Sequence, residues 1–362
     1  IYVLDGDAWL WEFEGDTAAA EPLRMTENQW LMTRLVHRIT DVFYPAPDGQ
    51  HIAIACPDDH SLDLFVYRRN DRSLHRIMPG NDIETAAIWS PDGQHLAFTR
   101  YDWRVKWREL WVSSPVGDDP VRLWRDEDGA WVSRFTFDAA FSPHGNYIAF
   151  VAPIDNYGQV LVAHTNGANE PTQVSDPGAE AAMPRWSPDG DWISYLSSLQ
   201  RQKQLQLVNP LHREYRREPQ KTAGSIADYA WSPASYLIAA VMSGADHPDE
   251  LTMIRTEDGP TSPISDHSHS LSAQVHDIEV SATTISSDDE AWQIPILMMR
   301  RQDLPADGTA PGIIYIHGGG QGQFALPAWQ GYSGAGTTYA ANMMLAQMGY
   351  VVLIVDYRGS WN

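Results

Sequence analysis

Five times along the chain an aromatic residue runs into a tight polar turn and then into an alternating apolar segment. The turns are Phe43-Tyr44-Pro45-Ala46-Pro47-Asp48-Gly49, Trp89-Ser90-Pro91-Asp92-Gly93, Phe141-Ser142-Pro143-His144-Gly145, Trp186-Ser187-Pro188-Asp189-Gly190 and Trp231-Ser232-Pro233-Ala234-Ser235. Their prolines, at 47, 91, 143, 188 and 233, stand 44, 52, 45 and 45 residues apart. In each unit the aromatic ends one strand, the Pro and Asp-Gly positions make a hairpin turn, and a run such as His95-Leu96-Ala97-Phe98-Thr99 begins the next strand. A second apolar segment follows in most units, as in Asp63–Tyr67, Glu109–Val112 and Gln159–Ala163.

Four short strands per period of this length predict the blades of an all-β propeller, because a single blade cannot bury both of its faces alone. Unrelated hairpins stacked in a sandwich would not keep such regular steps. Fifteen tryptophans suit stacked sheets that need bulky filling between them. The longest unit carries Tyr101-Asp102-Trp103-Arg104-Val105-Lys106-Trp107-Arg108. This stretch could project towards a ligand, but it reads better as an extended hairpin with one packed face. Residues 1–40 hold strands such as Ile1–Leu4 and Ala8–Trp11 without the turn before them, so the chain is expected to start within a blade. The propeller is assigned to residues 1–275.

Beyond His276 the repeat stops. Ile278–Ile285 and Trp292–Met299 read as two strands around the acidic turn Ser286-Ser287-Asp288-Asp289-Glu290. A polar loop, Asp303–Pro311, leads into the apolar strand Gly312–Ile316, which reads as covered on both faces and runs straight into His317-Gly318-Gly319-Gly320. Thr337–Met348 has helical character with Gly349 as its C-terminal cap, and Tyr350–Val355 is a second buried strand followed by Asp356-Tyr357-Arg358-Gly359-Ser360. Strand, helix, strand predicts an α/β layer with a parallel sheet over residues 276–362.

Glycines after a central strand let main-chain N–H groups approach a developing oxyanion that a Cβ would obstruct. A plain glycine-rich connection is the simpler alternative. The Trp-Ser-Pro-Asp-Gly units, the two-strand crossover, the strand ending in His-Gly-Gly and the later strand ending in Asp-Tyr-Arg-Gly-Ser together resemble the prolyl oligopeptidase family of serine peptidases, nearest to its acylaminoacyl-peptidase branch. The resemblance covers essentially the whole chain. It implies a β-propeller followed by the incomplete N-terminal part of an α/β-hydrolase domain, and hydrolysis of short peptides through an acyl-enzyme. It also implies that His317, Gly318 and Gly319 form the oxyanion hole, with Gly319 donating a main-chain N–H. His317 stands where other branches carry a tyrosine, and Gly320 where the family often has proline. The Glu-Glu pair of the dipeptidyl branch has no match in the propeller. Two rivals are a carboxylesterase, from the lipase-like Gly318-Gly319-Gly320, and a non-catalytic propeller that binds a protein partner.

No Gly-x-Ser-x-Gly elbow occurs in the sequence. Gly331-Tyr332-Ser333-Gly334-Ala335 comes nearest but follows no buried strand, so Ser333 is not expected to be the nucleophile. The catalytic Ser, Asp and His are expected beyond Asn362 in a longer parent, and this chain is expected to be inactive alone.

The formal charge of −22 argues against nucleic acid or an anionic membrane as a partner. No stretch approaches the ~20 apolar residues of a membrane span. Cys56, the single cysteine, sits in an apolar run and reads as a buried hydrophobe. His267, His269 and His276 with Asp277 have no zinc spacing, and Asp126-Glu127-Asp128-Gly129 lacks the other ligands of a calcium loop, so no metal or cofactor is expected. Nothing resembles a secretory signal, so a cytoplasmic location is the expectation, although the first residue is Ile1 rather than Met and the true N-terminus is not assured; a homo-oligomer is left open.

Overall fold

The computed structural model describes residues 2–4, 7–10, 13–14, 17–18, 21–25, 43–57, 62–80, 82–102, 107–126, 138–155, 157–199, 202–217, 224–245, 247–257, 261–265, 277–318, 324–329, 335–358 and 360. The chain divides into two compact units, residues 1–195 with 209–213, and residues 196–208 with 214–362.

Each proline repeat builds four antiparallel strands. The first, Phe43–Pro45, His51–Pro57, Leu62–Arg68 and Ser73–Arg76, is joined to the second, Ile83–Trp89, Leu96–Asp102, Trp107–Ser113 and Val121–Asp126. A single parallel pair, Ile83 with Leu62, merges these two into one eight-stranded sheet. Separate four-stranded sheets follow: Ala139–Phe141 to Thr172–Gln173, Glu180–Trp186 to Arg216–Arg217, and Ser225–Trp231 to Ser262–Pro263. Among the described residues this makes five four-stranded repeats, as the proline spacing predicts. In the long second unit Leu96–Asp102 pairs with Trp107–Ser113 along its whole length, and residues 103–106 of the stretch Tyr101–Arg108 lie outside the described residues.

The turn itself explains the motif. Ser90 Oγ donates to Asp92 Oδ1 at 2.5 Å and accepts the His95 N–H at 2.9 Å, while the Gly93 N–H closes on the Ser90 carbonyl. Ser187, Asp189, Gly190 and Trp192 repeat these contacts. Gly93 has φ +69° and Gly190 φ +79°, the left-handed region that a side chain disfavours. The tryptophan that opens the motif reaches one repeat back: Trp89 Nε1 donates to the Tyr44 carbonyl at 2.7 Å, and Trp186 Nε1 to Ala140 at 3.0 Å. Apolar side chains of neighbouring repeats share one cluster, with Ala97, Leu110 and Val112 against Phe141, Ile148 and Phe150. Cys56 is buried on its strand, as expected.

A second latch joins consecutive repeats. The first strand of one repeat carries a polar side chain that accepts an N–H from the third strand of the repeat before it. Glu84 takes Leu64 N–H at 3.1 Å, Glu180 takes Gly158 at 2.7 Å and Ser225 takes Lys203 at 3.2 Å. Glu84 is the most buried of these carboxyls, at 1 % exposure. Burial pushes it up to about 7, with neighbouring Asp63 adding to the rise and the Leu64 N–H, Arg100 and Arg76 opposing it.

Four strands after residue 276 form a sheet of their own: β1 (Ile278–Ser286), β2 (Gln293–Arg301), β3 (Gly312–Ile316) and β4 (Val351–Val355), in the spatial order β1-β2-β4-β3. β3 and β4 are parallel and linked through the helix α1 (Ala335–Gln347), while β1 with β2 and β2 with β4 are antiparallel. The sheet is therefore mixed rather than wholly parallel. Gly349, at φ +98°, ends the helix, its N–H bonded to the Ala346 carbonyl. The hairpin β1–β2 turns on Ser287-Asp288-Asp289-Glu290, which reproduces the propeller turn: Ser287 Oγ donates to Asp289 and accepts the Trp292 N–H at 3.1 Å.

α1 covers one face of this sheet, packing Tyr339, Met343 and Ala346 against Leu297, Met299, Val352 and Ile354. The other face of β3 is open, with Ile314 63 % and Ile316 68 % exposed. Among the described residues β3 lies at the edge of this sheet, with α1 over one face only.

Candidate active site

β3 and β4 run parallel with Ile316 beside Val355. One residue further on, each strand releases a polar side chain at the same end of the sheet, His317 from β3 and Asp356 from β4. Both are buried, at 3 % and 1 % exposure. The carboxyl ends of parallel strands are where open α/β sheets bind ligands.

The imidazole of His317 is held by stacking. The Phe324 ring lies 4.4 Å away at 16° and the Tyr357 ring 4.7 Å away at 22°. Nδ1 is 3.2 Å from the Gly318 carbonyl oxygen. Nε2 is 3.2 Å from Ser360 Oγ and 3.4 Å from Asp356 Oδ1. Asp356 Oδ1 also accepts the N–H groups of Phe324 at 2.8 Å and Ala325 at 3.0 Å, and the Tyr357 hydroxyl donates to the His317 carbonyl at 2.9 Å.

Ser360, His317 and Asp356 are the residue types of a charge-assisted nucleophile, yet their geometry is wrong for one. A serine and its orienting carboxylate must sit on opposite ring nitrogens, so that the base can take a proton from one while held by the other. Here both lie on Nε2, and the ring is closed in by two aromatic faces. The cluster is a packed polar network that bonds to the Gly318 carbonyl and to the N–H groups of Phe324 and Ala325.

Of the residues expected at the oxyanion, His317 and Gly318 lie at this strand end, and Gly318 has open space where a Cβ would stand. Gly319, Gly320 and Ser333 lie outside the described residues, as do His267, His269, His276 and residues 127–129. Beside the network, Tyr315, Phe324, Tyr339 and Asn342 line a cavity of about 10 Å³, room for one water and no substrate. Among the described residues no group of three His, Cys, Asp or Glu could hold a metal, and no helix is long and apolar enough to cross a membrane.

Asp356 and Ser360 are the participants that sequence reasoning missed. For Asp356 a signal existed: each of two apolar strands is followed at once by one polar residue, and a parallel pairing brings those two together. Ser360 offers none, since its place depends on the turn that bonds its N–H to the Tyr357 carbonyl.

Residues 42–235 match the family PD40, described as TolB beta propeller domain. The chain is 27% identical over 169 residues to an uncharacterized protein of Agrobacterium fabrum, a match covering 42% of this chain and 52% of that protein. Its fold is similar to Porphyromonas gingivalis dipeptidyl peptidase 4, with a TM-score of 0.74 and 14% identity, over 94% of this chain and 54% of the other. A puromycin-hydrolyzing peptidase of Mycobacterium tuberculosis is similar at a TM-score of 0.68 and 13% identity, over 99% of this chain and 57% of that one. The chain spans about half the length of the relatives it matches.

Proposed function

Because the chain belongs to the PD40 family of TolB beta propeller domains through residues 42–235, we propose that its propeller serves a serine-type peptidase of the prolyl oligopeptidase kind, with residues 276–362 as the opening strands of the α/β-hydrolase domain. The whole protein hydrolyses short peptides through an acyl-enzyme, with acylated peptides as the substrate class, and the propeller limits access to small substrates. One observation carries this reading: a glycine-rich segment leaves β3 at the carboxyl end of a parallel pair, beside the carboxylate that ends β4. The similarity in fold to two solved peptidases supports it.

In this reading the main-chain N–H of Gly319 donates to the tetrahedral oxyanion, and His317 and Gly318 complete that loop. His317 contributes no side-chain donor to the oxyanion, since its imidazole is buried between Phe324 and Tyr357. In the full-length protein, Gly319→Pro deletes the donor and is expected to lower kcat by about 10²- to 10³-fold.

The TolB-type match also favours a second reading, a propeller that binds a protein partner without catalysis. Hydrolysis of an acylated amino acid anilide and of a simple aryl ester by the full-length protein separates the possibilities. The peptidase reading expects anilide turnover that a serine-directed phosphonate abolishes. Ester turnover alone marks a carboxylesterase, and turnover of neither leaves the binding propeller.

A further inference from the structure

Asn342 is a polar residue at a core position. It follows Tyr339 and precedes Met343 on α1, the side chains that pack on the sheet, and only 2 % of it is exposed. Its Nδ2 group is buried without a hydrogen-bond partner. An unpaired buried donor is costly, so folded proteins satisfy such groups with protein atoms or with ordered water. Asn342 also lines the small cavity beside the His317 network, together with Tyr315, Phe324, Thr338 and Tyr339. Thr338 and Asn342 stand four residues apart on α1, which puts both side chains on one helix face. Tyr339 Oη donates to the Ala245 carbonyl at 3.0 Å, so its hydrogen is committed and its oxygen acts towards the cavity only as an acceptor.

We propose that this cavity binds one resident water, held by the Asn342 amide and the Thr338 hydroxyl. Size fixes the number, since a cavity of about 10 Å³ admits one water and nothing larger. Chemistry fixes the kind. A group facing the Asn342 Nδ2–H must accept a hydrogen bond, which an ammonium ion cannot do, and no carboxylate, imidazole or thiol lines the cavity to hold a metal cation. A water accepts from Nδ2 and donates to the oxygen of Thr338 or Tyr339, which gives it the two or more polar partners that an internal water needs. Cavities stay dry where their lining is apolar, and here an unpaired amide forms part of the wall. With Tyr315 on β3 and Ile354 on β4 as the opposite wall, the water completes the seat of α1 on the parallel pair, next to the Phe324 ring that stacks on His317. The site stands whether or not the peptidase reading holds.

Relaxation dispersion of ¹⁷O water in solutions of the whole chain counts long-lived internal waters, and a crystal structure locates them. Asn342→Leu removes the donor and fills the space, and is expected to lose about one long-lived water relative to wild type. Thr338→Val keeps the side-chain shape and deletes the hydroxyl, so it should shorten the residence of that water by about tenfold, the worth of one hydrogen bond. It decides the question if Asn342→Leu does not fold. In a crystal of the wild-type chain, density for the water is expected about 3 Å from Asn342 Nδ2. An equal count of long-lived waters in wild type and a folded Asn342→Leu protein overturns the proposal, as does an unchanged residence in Thr338→Val. A wild-type crystal in which the cavity holds no density, or in which the Asn342 amide bonds to a protein atom instead, overturns it as well.

Discussion

The indole N–H of Trp89 donates to the carbonyl of Tyr44 at 2.7 Å across 45 residues of chain, one full repeat. Trp186 does the same to Ala140 across 46. Trp89 and Trp186 therefore each span one repeat length. Trp89→Phe keeps most of the apolar contact and removes the donor, so unfolding in urea should show a loss of about 1–2 kcal/mol. Trp186→Phe should lose a similar amount. No loss in either variant would mean that the repeats are joined by apolar packing alone.

Two turns carry a side chain where their counterparts carry glycine. Ser235 and Glu290 sit at φ +62° and +54°, in the positions that Gly93 and Gly190 hold in their own turns. Each N–H still closes on the motif serine, at 3.1 Å to Ser232 and 2.8 Å to Ser287. Left-handed backbone costs a side-chain-bearing residue roughly 1 kcal/mol, partly offset by the greater unfolded freedom of glycine. Ser235→Gly and Glu290→Gly should each raise stability by about 0.5–1 kcal/mol in thermal melts, and a fall in Tm in both would contradict this.

Glu84 gives the first two repeats a pH dependence of definite sign. Its folded value of about 7 lies above the ordinary 4.5, chiefly through burial. Between those values the folded state holds a proton that the unfolded chain has released, so this carboxyl makes stability fall as pH rises from about 4.5 to about 7. The difference of about 2.5 units corresponds to an effect on the order of 3 kcal/mol. Glu84→Gln cannot ionise, so its stability relative to wild type should improve between pH 4.5 and 7.5 in urea titrations. A constant difference across that range would show that Glu84 stays charged in the fold.

β3 ends its sheet with Ile314 and Ile316 on an open face. An edge strand with exposed apolar side chains invites pairing with another chain. Ile314→Lys and Ile316→Lys should reduce self-association of the chain at micromolar concentration in sedimentation velocity, with stability changed by less than about 0.5 kcal/mol. Association that persists in the double variant would place the sticky surface elsewhere, for example at the exposed Met344 and Met348.

Sequence alone determined what is local. The Ser-Pro-Asp-Gly turns, the strand Gly312–Ile316 and the helix ending at Gly349 depend on contacts within about six residues, so composition and spacing disclose them. The tertiary structure decided whatever depends on which strands become neighbours. The Glu84, Glu180 and Ser225 latches all lie on the first strand of a repeat, but two are glutamates and one is a serine, and no motif marks them. The Ser287–Glu290 turn repeats the propeller turn without its proline or glycine, so it read as an ordinary acidic loop. The apolar run of β3 marks a strand, but which elements lie against its two faces depends on strand order and not on the strand itself. His317 stood out through its glycines, but its partners Asp356 and Ser360 lie 39 and 43 residues further on. Only the parallel register of β3 with β4 brings that carboxylate to the imidazole, because side chains distant in sequence meet through strand pairing, which no local pattern encodes.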